Sequence, residues 1–206
     1  MVFTPNGQQG LRHALENTYQ RRGLVHLSAG SKVPLLRGHV WLVARGMVKL
    51  SCITEQGDDL LLALAGPNEP FGEPLTNLDL YEATALTDSD LLCLPMDEVE
   101  ATPHLAMTLV RAMTSRMRQS ESLIALLGLR RIDDRVRGFL ELLAEEYGQP
   151  CELGLRLNLR LTHQDIASAL STTRVTVTRV LGMLRDEGWL HLDDQRQLVV
   201  AHLPQR

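Results

Sequence analysis

Arg174 and Arg179 carry the chemistry this sequence offers most plainly. A guanidinium presents forked N–H donors that match paired acceptors on a guanine edge or on a phosphate. Arg174 follows Thr173, a residue type that caps helix N-termini. Val177, Val180, Leu181 and Leu184 then fall at i, i+3, i+4 and i+7. That spacing gathers the four apolar residues on one buried stripe and leaves Arg174, Thr176, Thr178, Arg179 and Arg185 on other faces. Upstream, Thr162 can cap a shorter helix, with Asp165 completing a capping box and Ile166, Ala167, Ala169 and Leu170 forming a small apolar face. Ser171-Thr172-Thr173 breaks the two helices apart.

An arginine-bearing helix held across a shorter one is the geometry of a DNA-binding helix-turn-helix. The candidate DNA contacts are Thr162, His163, Thr172, Thr173, Arg174, Val175, Thr176, Thr178 and Arg179. The spacing alone equally suits a helical hairpin whose arginine face is merely solvated. Charge adds to the first reading. Arginines 156, 160, 174, 179 and 185 face one acid, Asp165, so this stretch is +4 in a chain of net charge −4. A local basic patch on an acidic protein is the footprint of a nucleic-acid surface; it supplies affinity rather than sequence.

The elements that must position these residues divide the 206-residue chain into three parts, 1–98, 99–130 and 131–206. Residues 1 to about 22 read as a short helix, with Leu11, Ala14 and Leu15 as its contact stripe. From 24 to 98, short apolar runs alternate with turn signals at Ala29-Gly30-Ser31, Arg45-Gly46, Gln56-Gly57-Asp58 and Gly66-Pro67-Asn68. Turns at that spacing predict an antiparallel β sandwich or barrel, either a plain structural jelly roll or a container for a small molecule.

The spacing predicts one long helix over 99–130. Ala106, Val110, Met113, Met117, Ser120, Ile124 and Leu127 alternate steps of 4 and 3, a heptad seam suited to a second copy of the same helix. A helix packed on its own domain is the other reading. Gly128 marks a hinge. Residues 133–148 read as an amphipathic helix capped by Asp133 or Asp134, with Val136, Phe139, Leu140 and Leu143 inward. A short strand or two precedes the helix-turn-helix. Trp189–Leu192 and Gln197–Val200 flank Asp193-Asp194 as a β-hairpin, the wing of a winged helix.

Several classes are set aside. No apolar run approaches the ~20 residues of a membrane span, and the N-terminus lacks a signal-peptide pattern. Cys52, Cys93 and Cys151 fit no metal spacing and read as buried reduced thiols, which points to the cytoplasm. His26 and His39 read as structural rather than as haem ligands, and Asp58-Asp59 and Asp193-Asp194 as turn residues. No nucleophile–base or paired-carboxylate arrangement has motif context, so neither an enzyme nor a cofactor is expected.

The order of parts resembles the Crp/Fnr family of bacterial transcription regulators. Val43-Ala44-Arg45-Gly46-Met47-Val48-Lys49-Leu50 resembles the family's Gly-x-Val-x-Leu turn, and Phe71-Gly72-Glu73 its F-G-E signature. The run from Leu161 to Gly188 resembles its helix-turn-helix, and is particularly similar to that of the cyanobacterial global nitrogen regulators. The resemblance implies an α+β chain: an N-terminal double-stranded β-helix (jelly-roll, cyclic-nucleotide-binding-like) domain, a long dimerisation helix and a C-terminal winged helix-turn-helix. It implies a homodimer on double-stranded DNA, with RNA polymerase as a further partner.

It also implies a half-site. Val175 stands where cyclic-AMP-type members carry an acid. Valine offers apolar contact, for instance to a thymine methyl, where an acid would accept from cytosine N4. A palindrome of the GTA-N8-TAC type follows from the resemblance, its half-sites about one helical turn apart.

The resemblance fails at the effector pocket, whose candidate residues are Phe71, Gly72, Glu73, Asp79, Tyr81, Ser120 and Arg130. Asp79 falls where the family places an arginine and Leu80 where it places a serine. An acid there repels a phosphate or a dicarboxylate, so neither cyclic AMP nor 2-oxoglutarate is expected to bind in the usual way. Arg130 matches an arginine by which the nitrogen regulators reach their effector. A module of another class, whose winged helix docks a protein partner, remains the alternative.

Overall fold

The computed structural model describes residues 23–55, 57, 59–159 and 161–201. The helix expected around Leu11, Ala14 and Leu15 lies outside them. The chain forms two compact units, Met1–Cys52 with Ala63–Arg118, and Ile53–Leu62 with Gln119–Arg206.

The β-rich part contains β1 (Val25–Leu27), β2 (His39–Arg45), β3 (Val48–Ile53), β4 (Asp59–Ala65), β5 (Pro70–Phe71), β6 (Tyr81–Ala85) and β7 (Ser89–Pro95). They form two sheets, ordered β1-β7-β2-β5 and β4-β3-β6. The pairings of β7 with β1 and β2, of β2 with β5, and of β3 with β6 are antiparallel. Val40–Ala44 of β2 and Leu91–Leu94 of β7 are apolar in unbroken runs because neighbours cover both faces. Trp41, Val43, Val48, Leu50, Phe71 and Leu91 join side chains of both sheets in one core, and the Trp41 indole donates to the Pro34 carbonyl at 3.1 Å. Asp59, expected in a turn, instead opens β4. Cys52, Cys93 and Cys151 are half-buried rather than buried.

The single helix expected over 99–130 is two. α1 spans Met96–Ala101 and α2 spans Pro103–Leu127. Thr102 between them is extended (φ −113°, ψ 100°) because the ring of Pro103 disfavours the helical region for the preceding residue. α2 has two faces. Leu105, Thr108, Ala112 and Gln119 are buried. The opposite face leaves Val110, Met117 and Ile124 57%, 58% and 69% exposed. Leu127 is exposed too, while Ala106, Met113 and Ser120 are half-buried. Gly128 ends the helix, its N–H turned back to the Ile124 and Ala125 carbonyls.

The C-terminal part contains α3 (Ile132–Tyr147), β8 (Gln149–Cys151), β9 (Gly154–Leu157), α4 (His163–Ala169), α5 (Arg174–Asp186), β10 (Leu190–Leu192) and β11 (Leu198–Ala201). The four strands form a sheet ordered β10-β11-β9-β8. Neither Asp133 nor Asp134 caps α3. Arg131 occupies the cap position and both acids lie in the first turn, where the helix dipole favours them. Val136, Phe139, Leu140 and Leu143 are buried as their spacing dictates, together with Ile166, Val177, Val180, Leu181 and Leu184. No helix among the described residues is long and apolar enough to cross a membrane.

Candidate nucleic-acid interface and effector pocket

Local polar groups set the geometry of the two C-terminal helices. Thr162 caps α4 with a reciprocal box: its Oγ1 accepts from the Asp165 N–H at 3.1 Å, and its own N–H donates to Asp165 Oδ2 at 2.9 Å. The turn passes through Ser171 in the left-handed region (φ 50°). Thr172 N–H then closes onto the Ala167 carbonyl at 3.0 Å. Thr173 caps α5, its Oγ1 accepting from the Thr176 N–H at 3.2 Å and pairing with Thr176 Oγ1 at 2.9 Å.

Thr178 Oγ1 donates to the Arg174 carbonyl at 2.9 Å and lies 2.7 Å from His163 Nδ1. A hydroxyl has one proton, so His163 donates through Nδ1 in this pair. His163 thereby ties the start of α4 to the first turns of α5.

These bonds occupy most of the expected DNA contacts with the scaffold itself. Arg174 and Val175 are the exposed ones whose side chains make no such bond. Val175 is 78% exposed. Arg174 is exposed and makes no ion pair among the described residues. Arg179 is different: its Nη2 stands 3.2 Å from Asp133 Oδ1. Arg156 Nε likewise stands 2.9 Å from Asp193 Oδ2. The positive run read along the sequence is therefore partly neutralised by acids that lie outside it.

The wing is fixed by Asp193, whose Oδ1 accepts from the N–H groups of Gln195 and Gln197 at 2.9 and 2.8 Å. The Arg137 guanidinium lies 4.6 Å from the Trp189 ring centre and pairs with Glu187 at 2.5 Å. These contacts pin α3 to the end of α5 and the start of the wing.

The expected pocket residues lie on several separate elements. Phe71 is core, 1% exposed. Gly72 has φ 143°, and a Cβ there would lie 2.6 Å from the His39 carbonyl oxygen. Glu73 accepts from the Gly38 N–H through Oε2 at 3.1 Å. Asp79 is exposed in the turn before β6. Ser120 is half-buried on α2, and Arg130 is exposed just beyond that helix.

Sequence reasoning passed over Arg116. From α2 it donates to the Pro70 carbonyl through Nη1 at 2.9 Å and lies near enough to Tyr81 of β6 to act on its phenol. Burial pushes the Tyr81 phenol up, and Arg116 partly offsets that rise. In the sequence Arg116 stands only as the neighbour of Met117 in the heptad seam. His26 and His39 have structural partners, Asp90 Oδ1 at 2.8 Å and the Arg37 carbonyl at 2.9 Å. Among the described residues no group of three or more His, Cys, Asp or Glu is placed to hold a metal ion.

Comparison with known proteins follows the same division. The family described as Crp-like helix-turn-helix domain matches residues 134–205, and that described as cyclic nucleotide-binding domain matches residues 36–102. The chain is 36% identical over 174 residues to the global nitrogen regulator of a Nostoc species, covering 80% of this chain and 77% of that one. It is 36% identical over 185 residues to the regulatory protein CysR of Synechococcus elongatus, covering 88% and 82%. A solved CRP/FNR-family transcriptional regulator from Thermus thermophilus superposes with a TM-score of 0.70 at 28% identity, covering 87% of this chain and 94% of that one.

Proposed function

Because the chain belongs to the Crp/Fnr family of transcription regulators, we propose that it acts as a homodimer reading a palindrome of the form GTA-N8-TAC. The observation that carries this is the outward pair Arg174–Val175 on the first turn of α5: a guanidinium with no ion pair among the described residues beside an exposed apolar side chain. Arginine donates two bonds to guanine O6 and N7, and valine packs against a thymine methyl, so a G followed by a T-A step suits the pair. Val110, Met117, Ile124 and Leu127 supply the dimer seam, since they form an uncovered apolar stripe at heptad spacing.

The division into a β-roll (1–98), a dimerisation helix (99–130) and a winged helix (131–206) goes with this reading, as does a cytoplasmic protein acting with RNA polymerase. The effector pocket is degenerate toward cyclic AMP and 2-oxoglutarate. Asp79 carries the wrong charge for either, and Glu73 is engaged by Gly38.

The test is fluorescence anisotropy of the effector-free protein on GTA-N8-TAC and scrambled duplexes across a salt series. The reading expects a preference of about 100-fold or more for the palindrome. Arg174→Ala should weaken palindrome binding by roughly 10- to 100-fold, with the dimer intact by sedimentation. Specific binding that survives Arg174→Ala, or equal and weak binding of both duplexes whatever the metabolites added, would overturn it.

A further inference from the structure

The two arginines of α5 are not equivalent, and the difference lies in Asp133. Arg179 Nη2 stands 3.2 Å from Asp133 Oδ1, and Arg131 Nη2 stands 3.5 Å from Asp133 Oδ2. Asp133 also sits in the first turn of α3, where the helix N-terminus favours an anion. The carboxylate therefore has two anchors besides Arg179. Its side chain is 23% exposed, against 62% for that of Arg179. The more buried and more heavily anchored partner is the acid, and it sets where the guanidinium lies.

A guanidinium carries five donors in a fixed fork. Asp133 engages Nη2 from one side, leaving Nη1 and the second Nη2 proton for a pair of acceptors such as guanine O6 and N7. A phosphate contact depends instead on uncompensated positive charge near the backbone. A carboxylate at 3.2 Å removes much of that charge without removing the fork. We infer that Asp133 is a specificity-determining positioning residue: it holds Arg179 in register for a base edge and withholds it from general phosphate binding. This rests on the DNA-reading assignment made above.

The experiment is the same anisotropy titration on the full chain, at several salt concentrations. The proteins are wild type, Asp133→Asn, Asp133→Ser, Arg179→Ala, the double variant Asp133→Asn/Arg179→Ala, and Asp134→Asn. Asp134 is exposed in the same helical turn and makes no ion pair among the described residues, so it controls for charge alone. Circular dichroism melting accompanies each protein, and Asp133→Ser stands in if the asparagine variant does not fold.

Neutralising Asp133 should tighten scrambled-duplex binding about three- to tenfold and steepen its logarithmic salt slope by up to about one. The palindrome-to-scrambled ratio should fall by at least about threefold. That fall should vanish in the Arg179→Ala background and be absent in Asp134→Asn. An unchanged ratio in Asp133→Asn overturns the inference. So does an equal fall in Asp134→Asn, or one that persists without Arg179, since the effect would then be general charge. A wild-type protein that prefers neither duplex defeats the DNA-reading assignment itself, and the role of Asp133 with it.

Discussion

The winged-helix part and the β-rich part both carry recognisable motifs, but the motif residues do different jobs in each. On α5 the motif residues Arg174, Val175 and Arg179 are exposed, and these are the ones that can reach DNA. In the β-rich unit the motif Phe71-Gly72-Glu73 is absorbed into the frame: Phe71 is core, Gly72 sits against the His39 backbone, and Glu73 holds Gly38. The polar pair facing each other there, Tyr81 and Arg116, comes from β6 and α2 and belongs to no motif. A reader of DNA works from the convex face of one short element, so adjacent letters name its working residues. A pocket is concave and is assembled from separate elements, so adjacent letters name the wall.

The largest effect that tests this contrast is at Gly72. Its φ of 143° is closed to other L-residues, and an added Cβ would lie 2.6 Å from a backbone oxygen that cannot move aside. Gly72→Ala should destabilise the protein by roughly 2–4 kcal/mol, read as a lowered denaturant midpoint. Tolerance of alanine there would mean that the F-G-E segment is not frame at all.

Thr173→Ala comes next. It removes the acceptor for the Thr176 N–H and should cost about 1 kcal/mol. DNA affinity should fall with it, because Arg174 and Val175 occupy the turn that this cap fixes. Stability loss without any loss of affinity would separate the cap from the reader.

Gly182 gives the opposite sign. It lies in the interior of α5, and nothing lies within 4 Å of a Cβ built there. Gly182→Ala should stabilise the protein by about 0.5–1 kcal/mol, since alanine is the better helix former. Specific DNA binding should be unaltered. Two glycine-to-alanine changes would then differ in sign because one glycine lines a wall and the other an open helix face.

What was legible in the sequence follows the same physical line. The caps at Thr162 and Thr173 and the stripe Val177, Val180, Leu181 and Leu184 arise from residues three and four apart, so spacing alone exposes them. The break at Thr102 was also local, since Pro103 announces it, yet the heptad pattern running through the same segment masked it. Asp133 and Asp134 have the residue type of a cap, but Arg131 takes that place and leaves Asp133 facing Arg179. The pairs Arg179–Asp133 and Arg156–Asp193 join residues 46 and 37 positions apart on different elements, so no count of charge along one stretch could find them. Arg116 was hidden for the same reason: its partners Pro70 and Tyr81 lie on other elements.

The smallest expected effect concerns the charges of the β-rich unit. Asp90 on β7 stands between His26 of β1, at 2.8 Å, and Arg45 of β2, at 2.7 Å. The hydrogen bond from His26, and then that from Arg45, hold its carboxyl below the usual aspartate range. A group with a lowered folded-state pKa stabilises the protein fully above its unfolded value, near 4, and that contribution is lost as pH falls through the folded value. Asp90→Asn should therefore lower the melting temperature at neutral pH and flatten its decline on the acid side. The two melting curves should converge toward the acid end, because there the wild-type carboxyl is protonated and no longer pairs with either base. The shift should be smaller than the three above, since exposed ion pairs are screened by water and salt. Palindrome binding should not change, because all three residues belong to the β-rich unit and serve its frame. A change in the specificity ratio on Asp90→Asn would mean that this frame communicates with the DNA-reading helix, and the division of labour drawn between the two parts would have to be withdrawn.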